Sequence, residues 1–363
     1  MNKVRIGIIG CGNISSIYMK NIPNFKHLSL VACADLDLDR AREQAKKFQI
    51  PKAYTVQEIL DDPNIDLIIN LTIPSAHEKV CVQALRAGKH VYVEKPLATT
   101  REEARRILDV ATEEGLLVGG APDTFLGAGI QTALELIENG EIGVPIGASA
   151  FMIGRGHEHW HPDPVFYYKK GGGPMFDMGP YYLTALVALL GPIERISGSV
   201  RASYPERTIL SKPKAGEKVT VEIPTHISGT IDFASGAIGS ITTSFDAFGG
   251  SSLPPIEIYG SEGTLLIPDP NHFGGIVRLR KKDEMEFTDI PLTHQFDGND
   301  RGLGVADMAA AILNKRKYRA SGDLAFHVLE AMHGFHDSSE SGVHYKMKSS
   351  CEKPEPFPPK NQF

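Results

Sequence analysis

The chain has 363 residues, 42% of them hydrophobic and 23% charged, which allows two buried cores and excludes the disordered and membrane classes. A net charge of -6, with lysines and arginines scattered among the acids, offers no basic face for nucleic acid or anionic lipid. Cys11, Cys33, Cys81 and Cys351 show no CxxC pair and no zinc-like spacing, so a reduced, cytoplasmic compartment is expected rather than a disulfide framework.

Met1, Lys3 and Arg5 lead directly into the apolar, β-branched run Val4 to Ile9, which is neither a signal peptide nor a spanning helix. That strand stops at Gly10-Cys11-Gly12-Asn13-Ile14-Ser15, ahead of a helix-like stretch from Ser16 to Asn21. The turn reads as GxGxxG with Ser15 in the third position, where a small residue lets helix and strand pack closely. Gly10 permits the turn, and Gly12 lets the backbone approach a pyrophosphate resting on the N–H groups and positive end of the helix. Gly10, Gly12, Asn13 and Ile14 are the candidate cofactor contacts here.

A second buried strand, Leu28 to Ala34, ends in Asp35, twenty residues beyond Ser15. A carboxylate there accepts both hydroxyls of an adenosine ribose and repels a 2'-phosphate, and Leu36, Asp37 and Leu38 bring no cation, so NAD is favoured over NADP. The competing reading makes Asp35 the cap of a helix starting near Asp39. Helix-like Arg40 to Phe48, strand-like Lys52 to Tyr54, helical Val56 to Asp61 and apolar Ile65 to Leu71 continue a doubly wound parallel sheet of the Rossmann kind. Ala76 to Ala87 has helical spacing and closes at Gly88, before the buried strand His90 to Val93. Ligands bind outside the carboxyl ends of such strands, which places Thr72, Pro74, Glu94 and Lys95 by one crevice.

After Gly119-Gly120-Ala121-Pro122 the alternation ends, and we set the domain boundary there, with residues 1–121 before it and 122–363 after it. One helix, Ile130 to Asn139, precedes β-rich runs at 144–153, 193–204, 219–233, 237–248, 256–259, 264–267 and 276–280. Turns at Ser235-Gly236 and Gly260 to Gly263 suggest antiparallel hairpins. The tail returns to helix at Gly304 to Asn314 and Asp323 to Val343, the latter capped by Ser321 or Asp323. An open sheet with an uncovered apolar face is an association surface, so a homodimer or homotetramer is expected. Asp177 precedes the apolar segment Tyr181 to Leu190; in one helical turn residues four apart share a face, which pairs Asp177 with Tyr181, while the plainer reading makes Asp177 an N-cap.

Gly88-Lys89-His90-Val91-Tyr92-Val93-Glu94-Lys95-Pro96-Leu97-Ala98 resembles a segment of the glucose-fructose oxidoreductase, inositol dehydrogenase and MocA-like family. The resemblance extends through the glycine turn, LIENGEIG at 136–143, GGGPMFD at 171–177 and the late hairpin at 260–263. It implies a second domain of α+β type on a large open, mostly antiparallel sheet, and oxidation or reduction of a carbinol on a sugar, cyclitol or related small molecule. His77 fits the family's pattern of cofactor contacts. Two departures stand out: Thr72-Ile73-Pro74-Ser75 where the family usually carries Thr-Pro-Asn, and Tyr181 where many members have histidine and the dihydrodiol dehydrogenase branch similarly has tyrosine.

Hydride transfer from a carbinol needs a group that takes the hydroxyl proton or stabilises the alkoxide. Lys95 is the first choice, with Tyr181 and Asp177 relaying the proton, and either Lys95 or Tyr181 serving as the base. His157, His159 and His161 would share one face of an extended stretch, but prolines at 162 and 164 break it and the resemblance requires no metal. His157, Trp160 and His161 are instead the candidate substrate contacts, imidazole suiting hydroxyls and indole a sugar ring. Two other classes remain beside the dehydrogenase: a glycosidase that oxidises and re-reduces with retained NAD, and an NAD-binding sensor.

Overall fold

A computed structural model describes residues 3–359. The chain divides into two compact units: one runs to Leu126 and takes back Asn299–Phe326, the other consists of Gly127–Gly298 and the residues from His327 on.

In the first unit the apolar, β-branched runs become strands β1 (Val4–Ile9), β2 (Leu28–Ala34), β3 (Lys52–Tyr54), β4 (Leu67–Asn70), β5 (His90–Val93) and β6 (Val118–Gly120). Among the described residues they pair in the order β3-β2-β1-β4-β5-β6, each pair parallel. β4 is buried at every residue, as a parallel strand covered on both faces must be. The order reverses between β1 and β4, and the carboxyl ends of those two strands form the switch point where such sheets take ligands. Helices α1 (Ser15–Asn21), α2 (Leu38–Phe48), α3 (Val56–Asp61), α4 (His77–Arg86) and α5 (Arg101–Glu114) connect them. α5 has no counterpart among the expected helices, although Thr100 and Glu103 form a full capping box at its start.

The second unit opens with α6 (Ala128–Glu138), β7 (Pro145–Ile153), the short α7 (Pro174–Asp177) and α8 (Gly179–Leu190), every residue of which is buried. β8 (Ile193–Arg201), β9 (Glu206–Thr208), β10 (Lys218–Thr220), β11 (His226–Phe233) and β12 (Ile238–Ser244) follow. The expected single strand from 219 to 233 is two, β10 and β11, because Pro224 cannot donate to a ladder. β13 (Ile256–Gly260), β14 (Gly263–Ile267), β15 (Val277–Lys281), β16 (Thr288–Ile290) and β17 (Tyr345–Lys346) complete the set. Among the described residues a nine-stranded sheet runs β16-β15-β14-β13-β7-β12-β11-β8-β17, antiparallel throughout except for β7 with β12, and β9 pairs with β10 apart from it.

One face of that sheet is buried through Ile227, Ile231, Ile241, Ile256, Ile258 and Leu265. The opposite face carries a row across five strands of Ser197, Thr230, Ser240, Ser149 and Glu257. Neighbouring hydroxyls bond one another, Ser197 to Thr230 at 2.8 Å and Ser228 to Thr242 at 2.9 Å. The face expected to be apolar thus carries hydroxyls across its middle together with Phe151, Ile238 and Leu266, Ile238 being 61% exposed.

The single boundary at 121 misses the returning segment, in which α9 (Leu303–Asn314) belongs to the first unit and α10 (Gly322–Ser341) belongs to the second from His327 on. Asp123 holds α9 by accepting the Gly302 and Gly304 N–H groups at 2.9 and 3.0 Å. Asn21 donates to the carbonyls of Asn299 and Arg301, and Gly119 bridges to Ser321. Burial pushes the Asp123 carboxyl up to about 6, against the pull of the two N–H donors. No helix among the described residues is long and apolar enough to cross a membrane.

Candidate active site

In the first unit the glycine turn follows β1. Gly10 has φ +102°, and a Cβ there would sit 2.6 Å from the Leu71 carbonyl, so the turn can press against the end of β4 only without a side chain. A Cβ on Gly12 would meet nothing within 4 Å, which leaves that stretch of backbone bare toward an approaching group. Beside Asn13 and Ile14, α1 begins with no side-chain cap, its first N–H, that of Ser15, donating to the Gly12 carbonyl at 3.2 Å. Ser15 is buried and its Oγ donates to the Gly12 carbonyl at 2.7 Å, so the third motif position also locks the loop.

Asp35, its side chain 10% exposed, accepts the Cys11 N–H at 2.7 Å and the Asp37 N–H at 3.0 Å. It ties the end of β2 to the glycine turn. The cap of α2 is Asp37, which accepts from Asp39 and Arg40, so the capping role weighed for Asp35 falls to its neighbour. Arg40 reaches back to Asp35 at 3.4 Å, a cation that the three residues after Asp35 do not show.

At the ends of β4 and β5 the polar groups brace one another. Buried Asn70 accepts from the Thr72 hydroxyl at 2.6 Å and donates to the His77 carbonyl at 3.1 Å. His77 is fully buried, its Nδ1 2.8 Å from the Pro96 carbonyl and its Nε2 3.0 Å from that of Thr72. Burial holds this imidazole below its ordinary value, though both carbonyls favour the proton, and the neutral ring donates to one of them. Pro74 opens a 3-10 turn just before α4. Glu94 accepts the Tyr18 hydroxyl at 2.9 Å and the Lys95 N–H at 2.9 Å, and burial holds the Tyr18 hydroxyl well above its ordinary value. His77 and Glu94, expected to touch the cofactor, each hold the loop that carries Lys95 with one polar atom, the other going to the Thr72 carbonyl for His77 and to the Tyr18 hydroxyl for Glu94. Asn70 and Tyr18 were missed, although a lone polar residue closing the run Leu67–Asn70 is a visible signal.

In the second unit Asp177 ends α7 and Tyr181 lies buried in α8, with Met178 breaking the helix between them at φ −109°, ψ −24°. The continuous turn assumed for the pair is absent, and Asp177 is not the N-cap of α8, which is Met178. Instead the Asp177 Oδ2 lies 2.8 Å from the Nε2 of His157, both side chains 15% exposed. The His157 ring is walled by Tyr167 at 4.0 Å, Phe245 at 4.8 Å and Trp160 at 5.3 Å between centroids, while Trp160 itself is 55% exposed.

Residues 157–161 curl rather than extend, Trp160 and His161 donating their N–H groups to the His157 carbonyl. The three imidazoles therefore diverge: His161 accepts from the Asp163 N–H, and among the described residues no three His, Cys, Asp or Glu gather as metal ligands. Under this curl lies a charge cluster. Arg207, its side chain 3% exposed, donates to Glu158 from Nε at 2.7 Å and to Asp246 from Nη1 at 2.9 Å. Its Nη2 donates to the Arg155 and Phe245 carbonyls, and the Tyr168 hydroxyl donates to Glu158. With burial raising the Tyr168 hydroxyl, the proton stays on the phenol. No sequence pattern links Arg207 to a loop so distant in the chain.

The arrangement has close counterparts. Residues 4–120 match the model of an oxidoreductase family with an NAD-binding Rossmann fold, and residues 130–266 match the GFO/IDH/MocA C-terminal domain. Myo-inositol 2-dehydrogenase of Thermotoga maritima is 26% identical over 264 residues, covering 72% of this chain and 75% of that protein. Levoglucosan dehydrogenase of Pseudarthrobacter phenanthrenivorans is 24% identical over 291 residues, covering 73% and 74%. The crystal structure of an NAD-binding oxidoreductase from Klebsiella pneumoniae shares the fold at a TM-score of 0.81, with 23% identity over 95% of this chain and 98% of that one. With both family models met in order along one chain, this protein belongs to the GFO/IDH/MocA family of oxidoreductases and uses NAD.

Proposed function

We propose that this oxidoreductase transfers a hydride between NAD and a carbinol carbon of a sugar, cyclitol or related small polyol, as a cytoplasmic homodimer or homotetramer. The observation that carries the reading is the likeness to two proteins named for oxidising a cyclitol and an anhydrosugar, across about three quarters of each. The bare backbone at Gly12 and the tethered carboxylate of Asp35 support the cofactor half. When bound, NAD supplies the hydride acceptor.

In this reading Gly10, Gly12, Asn13, Ile14 and Asp35 hold the cofactor's phosphates and adenosine ribose, and Thr72 and Pro74 hold its nicotinamide half. His77 and Glu94 contact the cofactor from the loop they brace. Lys95, Tyr181 and Asp177 handle the hydroxyl proton, and His157, Trp160 and His161 receive the substrate's hydroxyls and ring.

The test is the absorbance of reduced nicotinamide when purified protein meets NAD and a panel of sugars, cyclitols and sugar acids. A polyol is expected to reduce NAD, and Lys95→Ala to lower kcat/KM by roughly 10³-fold with NAD still bound. Bound NAD with no absorbance change for any polyol would shift the reading to a redox-neutral glycosidase.

A further inference from the structure

We propose that the first unit carries a second ligand site, at the amino ends of β1, β4 and β5, which takes a small organic oxyanion: a carboxylate or phosphate on an apolar body. The candidate cofactor groups stand at the carboxyl ends of the same strands, so the two sites lie at opposite edges of one parallel sheet.

An open hollow of about 590 Å³ is lined there by Lys3, Arg5, Asp66, Lys89 and His90. Lys89 is the unusual member. It is 3% exposed, and its ammonium donates to the carbonyls of Asp62 at 2.7 Å and Ile65 at 3.1 Å. Both partners are neutral, and no carboxylate among the described residues is within ion-pair reach of it. A buried charge is ordinarily paired, because the water removed from it must be replaced.

The acids nearby are already spent. Asp66 holds the Arg5 guanidinium at 2.7 Å, and Asp62 holds the Lys52 ammonium at 2.8 Å. Asp61 is exposed and accepts from Gln57. Burial pulls the Lys89 ammonium below its ordinary value while the more distant charges of Asp62 and Asp66 push it back up, against that of Arg5. An ammonium has three hydrogens, and the two carbonyls take two of them. The third has no acceptor among the described residues.

His90 supplies a second donor. Its Nδ1 accepts the Leu117 N–H at 3.0 Å, so the hydrogen of the neutral ring sits on Nε2. Burial holds this ring below its ordinary value, which keeps it neutral. Exposed Lys3 adds charge, and across the lining three cations face one carboxylate. The rest of the lining includes Ile65 and, from α9, Ile312 and Leu313. A polar head on Lys89 and His90 with an apolar tail on α9 is the ligand that such a lining accepts.

The experiment is isothermal titration of the full chain, saturated with NAD, at fixed ionic strength. The probes are hexyl phosphate, hexanoate and hexanol. Saturation with NAD silences the other place on this unit where a phosphate would settle, the glycine turn after β1. At least one of the two anions is expected to bind with a Kd on the order of 1 mM or below, and the tighter names the head group. Hexanol keeps the tail without the charge, and is expected to bind at least about tenfold more weakly than that anion.

Lys89→Gln removes the charge, whereas Leu313→Asp adds a carboxylate to the hollow and leaves Lys89 with its carbonyls. Each is expected to weaken the tighter anion by about tenfold or more, and His90→Gln by about threefold. Should Lys89→Gln fail to fold, as its melting curve will tell, Leu313→Asp decides. The inference is overturned if neither anion binds more than about threefold tighter than hexanol, or if a folded Lys89→Gln or Leu313→Asp binds as wild type does. No turnover enters the measurement, so it stands apart from the proposed reaction.

Discussion

In the first unit the candidate cofactor groups hang from the backbone: Gly10 is pressed to Leu71, Ser15 bonds to Gly12, and Asp35 takes the Cys11 N–H at the ends of adjacent parallel strands. In the second, His157 owes its place to side chains far along the chain, Asp177 at one ring nitrogen and Arg207 under the curl through Glu158. A backbone-built site tolerates change in side chains and fails when a glycine gains one. A side-chain-built site does the reverse, and each partner removed leaves a buried charge behind.

Three substitutions can break or sharpen that contrast. The largest effect is expected of Arg207→Met, which leaves Glu158 and Asp246 buried without their cation at a cost of about 3–5 kcal/mol. Urea unfolding followed by Trp160 emission measures it, and an unchanged midpoint would show that the curl stands without the cluster.

Asp123 comes next, because its buried carboxyl titrates at about 6 in the folded chain and near 4 in the unfolded one. A raised folded value means that the stability it contributes is full below pH 4 and is lost as pH rises through 6, on the order of 3 kcal/mol. Asp123→Asn cannot titrate, so the difference in unfolding free energy between wild type and variant should fall across that window; parallel curves would show that the α9 latch is not held by a protonated acid.

The smallest effect is expected of Gly10→Ala, which forces a Cβ into a φ of +102° at a cost of about 1–3 kcal/mol and displaces the turn. Thermal melting and NAD titration should show lower stability and weaker binding together. If binding alone survives, the turn is less backbone-determined than its geometry implies.

The alternation of strand and helix, the glycine turn and the acid at the end of β2 were legible in the sequence because each depends on neighbours within a few residues: turn chemistry, period and capping are local. The same holds for Lys95 at a strand end and for Asp177 beside a glycine run. What only tertiary structure decided was how those groups are held. The return of Asn299–Phe326 to the first unit, the bracing of Lys95's loop by Tyr18 through Glu94, the paired hydroxyls of the open sheet and the pairing of His157 with Asp177 all join residues distant in sequence. No local period records such contacts, since a buried polar group finds its partner wherever the folded chain delivers one, and the cost of leaving it unpaired is felt only once water has been excluded.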